Sequence, residues 1–122
     1  MDRTVALCDK WYYFDGRKKA GRKGLFLKKS DNFPMSCEKT FTVKRKFVCP
    51  KQVNDTVTVF FESTDNDIEV FAGKSRIEGV FDGEKTVFDI TKELKTGVTV
   101  ITAVIHGGTV EKFFFSVKRN KE

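Results

Sequence analysis

The stretch that decides the fold is Val98-Thr99-Val100-Ile101-Thr102-Ala103-Val104-Ile105-His106-Gly107-Gly108-Thr109-Val110-Glu111-Lys112-Phe113-Phe114-Phe115-Ser116-Val117. Two β-branched and aromatic runs flank a Gly-Gly pair, and that arrangement predicts a β-hairpin turning at His106-Gly107-Gly108-Thr109. In the first run Ile101, Ala103 and Ile105 share one face while Val98, Val100 and Val104 share the other, which predicts a central strand buried on both sides. In the second run Phe113, Phe115 and Val117 share one face and Phe114 points the opposite way.

Upstream the same alternation recurs. Phe41, Val43, Arg45 and Phe47 alternate with Thr42, Lys44 and Lys46, and Cys49-Pro50 stops that strand. Thr56 to Phe61 reads Thr-Val-Thr-Val-Phe-Phe, with Phe60 facing away from Val57, Val59 and Phe61. Ser63 to Asp67 makes a turn, Ile68 to Phe71 a strand, Ala72-Gly73-Lys74 another turn, and Thr86 to Ile90 a short strand. Thr91 reads as the N-cap of a single helical turn over Lys92 to Lys95, ended by Gly97. Seven or eight short strands with no longer helix predict an all-β sandwich over residues 37–122. Residues 1–36 read as an aromatic segment, Trp11-Tyr12-Tyr13-Phe14, followed by a basic loop that packs on the sandwich or extends from it.

Composition bounds the function classes. The chain has 122 residues, enough for one domain, and its 39% hydrophobic and 33% charged residues fit a folded globular chain. Its longest apolar run, Val98 to Ile105, falls far short of the ~20 residues a bilayer requires, so no membrane insertion is expected. Thirteen phenylalanines build a β-rich core, while a single histidine, His106, leaves little for His-centred catalysis or zinc. No Gly-x-Ser-x-Gly, phosphate-cradling loop or Cys/His cluster is present, which argues against an enzyme. Asp65-Asn66-Asp67 supplies oxygen donors suited to calcium without the spacing of an EF-hand loop, so no metal is favoured and calcium at Asp65 and Asp67 stays a weak candidate. No other cofactor is expected.

The thiols Cys8, Cys37 and Cys49 are odd in number. Cys37 and Cys49 end one extended segment, roughly 40 Å apart at about 3.3 Å per residue, too far for a disulfide. The first residues, Met-Asp-Arg-Thr-Val-Ala-Leu-Cys, lack the apolar stretch of a secretory signal. Free thiols in a reducing compartment, in the cytoplasm or in an assembled particle, are the expectation.

The order of these pieces resembles a known pattern. Trp11, Phe41-Thr42-Val43, Val57 to Phe61 and Asp67 to Lys74 come first. Gly79 and Gly83 follow, then Val87-Phe88-Asp89-Ile90-Thr91 and Leu94-Lys95-Thr96-Gly97-Val98-Thr99. Over about two-thirds of the chain this is similar to the galactose-binding-domain-like jelly roll, in particular the sugar-binding domains of β-galactosidase and β-glucuronidase enzymes. Asp-Ile-Thr followed by Leu-Lys-x-Gly is its most specific part. Ala72 and Thr99 depart from it, since the family places Asn at both positions. The resemblance implies a jelly-roll sandwich without an active site, of a superfamily whose modules bind glycans, bind proteins or act as spacers.

Three partner classes follow. Phe60 and Phe114, on the faces opposite their strands' main apolar sets, mark an interaction surface for a protein partner or self-association, unless a long loop covers them. This is the favoured reading: a non-catalytic binding and assembly module, an accessory subunit of a larger assembly. By analogy of fold alone, virus and phage particles carry such sandwiches as decoration or attachment proteins. A carbohydrate-binding module would use Trp11, Tyr12 and Tyr13 as platforms, although Trp11 equally suits a core plug. Nucleic acid would meet the basic arm Arg17, Lys18, Lys19, Arg22, Lys23, Lys28 and Lys29 in a non-specific, salt-sensitive manner. The charge asymmetry motivates that third class: residues 1–51 hold 14 Lys+Arg against 5 Asp+Glu, in a chain of net charge +6.

Overall fold

A computed structural model describes residues 3–7, 10–15, 30–31, 33–48, 54–63, 67–81, 83–94 and 98–119. These form ten strands and one 3-10 turn. β1 (Arg3–Ala6), β2 (Trp11–Asp15) and β3 (Ser30–Asp31) precede β4 (Met35–Val48) and β5 (Asp55–Ser63). β6 (Ile68–Ala72), β7 (Ser75–Ile77), β8 (Gly79–Phe81) and β9 (Thr86–Asp89) follow, then the 3-10 turn at Thr91–Glu93 and β10 (Val98–Arg119). All pairings are antiparallel.

The stretch that predicted a hairpin is a single strand of 22 residues. β10 never pairs with itself. Its first half lies between β4 and β6, with Ile101 opposite both Arg45 and Ala72, and its second half lies between β1 and β5, with Phe115 opposite both Val5 and Val59. Both edges of each half are occupied, so folding back would displace neighbours. Gly107 and Gly108 instead form a bulge in the ladder with β4, at φ +91° and +104°. Such backbone angles suit glycine, and a bulge of this kind bends a strand sharply enough to pass from one layer of a sandwich to the other.

The two layers share β10. One runs β3-β2-β4-β10-β6-β7 and the other β1-β10-β5-β9-β8. Between them lie the inward positions that the alternation marked: Phe41, Val43, Val57, Val59, Ile101, Ala103, Ile105, Phe113, Phe115 and Val117, all buried. Thr102 and Val104, on the opposite face of β10, have no exposed surface, as expected of a central strand, but Val98 at its end is 60% exposed.

The described strands of the N-terminal segment pair within the sandwich. β1 and β2 are sheet strands, and a boundary between residues 36 and 37 falls inside β4. Trp11 of β2 crosses the core, its ring centroid 5.0 Å from those of Phe33 and Phe113 and 6.0 Å from that of Phe61. Its Nε1–H donates to the Leu7 carbonyl at 2.8 Å, and the Leu7 N–H donates to the Phe113 carbonyl at 2.9 Å. A buried indole is thereby both packed and satisfied.

The Asp89-Ile90-Thr91 segment ties the edge of β5. Ile90, fully buried, donates its N–H to the Val57 carbonyl at 3.0 Å. Thr91 is not an N-cap: Ile90 holds that place, and its apolar side chain makes no cap hydrogen bond. The Thr91 hydroxyl accepts from the Val57 N–H at 2.8 Å and lies 2.6 Å from Asp89 Oδ1, which also accepts the Thr91 N–H at 3.0 Å. A hydroxyl has one proton, and the short contact to a carboxylate is where it is held most strongly.

Candidate functional site

The outward faces of the two layers differ in chemistry. On the layer of β1, β10, β5, β9 and β8, register sets an apolar row across the sheet. Ala6 lies opposite Phe114, Phe114 opposite Phe60, and Val87 opposite Val80. Thr58 opposite Asp89 places Val87 on the same face as Phe60, one step along. The row Ala6-Phe114-Phe60-Val87-Val80 therefore spans five strands outside the core. Phe60 and Phe114 stack with centroids 5.0 Å apart and rings inclined by 23°, both half-buried. The Lys85 ammonium lies 4.8 Å from the Phe60 centroid, a cation–π geometry. A polar row, Thr4-Ser116-Thr58-Asp89, borders it, with Thr4 Oγ1 3.2 Å from Ser116 Oγ. The sequence singled out Phe60 and Phe114, and the structure brings them together. It missed Ala6, Val80 and Val87, whose membership depends on which strands adjoin.

The other layer presents polar groups outward. Tyr12, Lys44, Thr102, Phe71 and Arg76 lie in register across β2, β4, β10, β6 and β7. Burial holds the Lys44 ammonium below the usual lysine pKa, because desolvation disfavours the charged form. The Thr102 hydroxyl is buried without a hydrogen-bond partner among the described residues. Beside them, His106 Nδ1 is 3.4 Å from Thr40 Oγ1 and Nε2 is 3.3 Å from Glu69 Oε2. Glu69 also faces Arg76 Nε at 3.8 Å, and Arg76 Nη1 donates to Glu78 Oε1 at 2.8 Å. The sole histidine thus braces the bulge next to it, where the sequence placed it beside a turn.

The remaining sequence candidates fare differently. Trp11 has no exposed surface, so a sugar cannot stack on it, and its place is the core plug. Tyr12 and Tyr13 are half-buried, and Tyr13 stacks on Phe41 at 5.4 Å between centroids. Asp67 is exposed, and its carbonyl accepts the His106 N–H at 3.1 Å. Asp65 and the basic arm (Arg17, Lys18, Lys19, Arg22, Lys23, Lys28 and Lys29) lie outside the described residues, as do Cys8 and Cys49. Among the described residues no group of three or more His, Cys, Asp or Glu is placed to hold a metal.

No family model matches the chain, and no curated protein matches it by sequence. Its structure is similar to solved glycoside hydrolases. A glycosyl hydrolase family 2 member from Bacteroides cellulosilyticus superposes with TM-score 0.78 at 11% identity, over 96% of this chain and 21% of that one. A Bacteroides uniformis β-glucuronidase gives TM-score 0.79 at 12% identity, over 98% of this chain and 18% of that one. A β-glycosidase from Bacteroides vulgatus gives TM-score 0.75 at 17% identity, over 96% and 20%. The chain spans about a fifth of the length of these enzymes. It has the jelly-roll-like β-sandwich of a domain within them, which bears out the resemblance read from Trp11 and from Asp89-Ile90-Thr91 at the level of fold.

Proposed function

We propose that this β-domain is a non-catalytic module that docks a protein partner, or a second copy of itself, and so serves as an accessory part of a larger assembly. The observation that carries the reading is the apolar row on the outer face, with the Phe60–Phe114 stack at its centre and a polar row beside it. Contiguous apolar surface bordered by polar groups is the anatomy of a protein interface. Rigid stacked aromatics are the residue type that anchors one. The match to the glycosyl hydrolase family 2 member takes in 96% of this chain but 21% of that one, which accords with a supporting domain rather than a reaction centre. The role in a virus or phage particle stays an analogy of fold.

Carbohydrate binding is the second reading, supported by the sandwich it shares with domains of carbohydrate-active enzymes. Light scattering at about 50 mM and about 500 mM salt, with and without DNA and oligosaccharide, separates the classes. Assembly through the apolar row requires a defined oligomer, or a complex with a co-purifying partner, that survives high salt. Phe60→Ser and Phe114→Ser are expected to dissociate it while leaving the thermal unfolding transition cooperative. A complex that keeps its mass in both variants overturns the reading. A monomer that gains mass with DNA only at low salt assigns the function to the basic arm instead.

A further inference from the structure

The apolar row is flanked on one side by an unpaired set of opposite charges. Lys112 and Glu62 lie opposite each other in the ladder of β10 and β5, two residues along from Phe114 and Phe60 and so on the same outer face. Both are exposed, and among the described residues neither forms an ion pair. On the other side of the row Ser116 lies opposite Thr58, with Thr4 and Asp89 outside them. Lys85 is held against the Phe60 ring and Asp89 against Thr91, while Glu111 falls in the register shift beside Lys112. Cations and acids are thus close to balance on this face, in a chain of net charge +6.

Two identical faces can meet about a two-fold axis lying between them, and the direction of that axis decides which residues touch. An axis parallel to the strands, passing between β10 and β5, lays β10 of one copy over β5 of the other. Phe114 then meets Phe60 of the other copy, Ala6 meets Val87, Ser116 meets Thr58 and Thr4 meets Asp89. Lys112 meets Glu62, twice by symmetry. An axis across the strands sets Lys112 over Ser116 and Glu62 over Thr58 instead, and no opposite charges meet. The face is complementary to itself in the first orientation and not in the second.

We propose that this face is the interface of a homodimer, in which two copies of the chain pack through Phe60 and Phe114 and are held in register by reciprocal Lys112–Glu62 ion pairs. The inference rests on the protein-docking reading and names a second copy as the partner. Packed sheets cross at about 30°, and residues on the two strands beside the axis keep their partners through such a rotation. Four overlapping strands about 4.8 Å apart, seven residues long at about 3.4 Å each, bury on the order of 1,000 Å² over the two copies. That is the low end for a specific interface, so a reversible dimer of micromolar affinity is expected.

Sedimentation equilibrium from about 1 μM to about 1 mM chain reads the association. Lys112→Glu and Glu62→Lys are each expected to weaken the dimer at least about tenfold, since each sets like charges across the axis twice. An equimolar mixture of the two variants is expected to regain the native affinity, because both contacts then join opposite charges. The doubly exchanged chain should do the same, and cooperative thermal unfolding of each variant shows that the fold is intact. A dimer that neither single variant weakens, or a mixture no tighter than either variant alone, would overturn the proposal. A chain still monomeric at the highest concentration, whose complex with a co-purifying partner is released by Phe60→Ser, removes the homodimer and leaves the docking face standing. A dimer that Phe60→Ser and Phe114→Ser leave unchanged removes both.

Discussion

At the residue scale, Thr91 shows how one hydroxyl fixes a connection. It satisfies the Val57 N–H and lies against Asp89, so the 3-10 turn is held to β5 although its N-cap residue, Ile90, has no capping side chain. Thr91→Val keeps the shape and removes both hydrogen bonds, leaving the Val57 N–H without its acceptor. A loss of about 1–3 kcal/mol is expected in urea unfolding, with Thr91→Ser restoring most of it. The motif Asp89-Ile90-Thr91 was legible as a family signature, but the role read from it was a helix cap. Sequence spacing marks where a hydroxyl sits, while its partner, Val57, lies 34 residues away.

At the scale of elements, the period-two alternation identified most strands because burial on one face leaves a local trace. β5, β6 and β9 lie where that alternation put them. The hairpin at Ala72-Gly73-Lys74 forms with positive φ at Gly73, +62°, and Ala72, buried against the core, replaces the family's Asn without loss of the turn. β7 and β8 were missed, since three residues are too few to show a period. The Gly-Gly pair was read as a hairpin because glycine at positive φ serves a turn and a bulge equally. Gly108→Val tests the bulge. A β-branched residue at φ +104° is strained, and a cost of about 2 kcal/mol or more is expected in thermal or urea unfolding.

At the scale of the whole molecule, charge and exposure matter more than any one contact. Lys44 lies on an outward face yet loses hydration, and its pKa falls below 10.5. Between the lowered folded value and the unfolded one, the unfolded chain binds more protons, so stability from this group rises with pH across that window. Below the window its cost is fully present. Lys44→Met is therefore expected to raise Tm at neutral pH, and the gain should shrink as the melt is repeated toward pH 10.5. A gain that grows with pH would contradict the assignment. The docking face is a property of the same scale: Phe60 and Phe114 were separately visible as outward aromatics, but their stack required β5 and β10 to adjoin.

The sequence by itself determined which residues turn inward, because alternation is a local consequence of one wet and one dry face. It also carried the all-β class and the Asp-Ile-Thr landmark. Tertiary structure decided what local pattern leaves open. It made Gly107-Gly108 a bend inside one strand, since β4, β6, β5 and β1 occupy every edge a hairpin would need. It put Trp11 in the core through partners as distant as Phe113, and it assembled five scattered apolar residues into one row. Strand order and register are fixed by pairing between segments far apart in the chain, and no short window of sequence contains both partners.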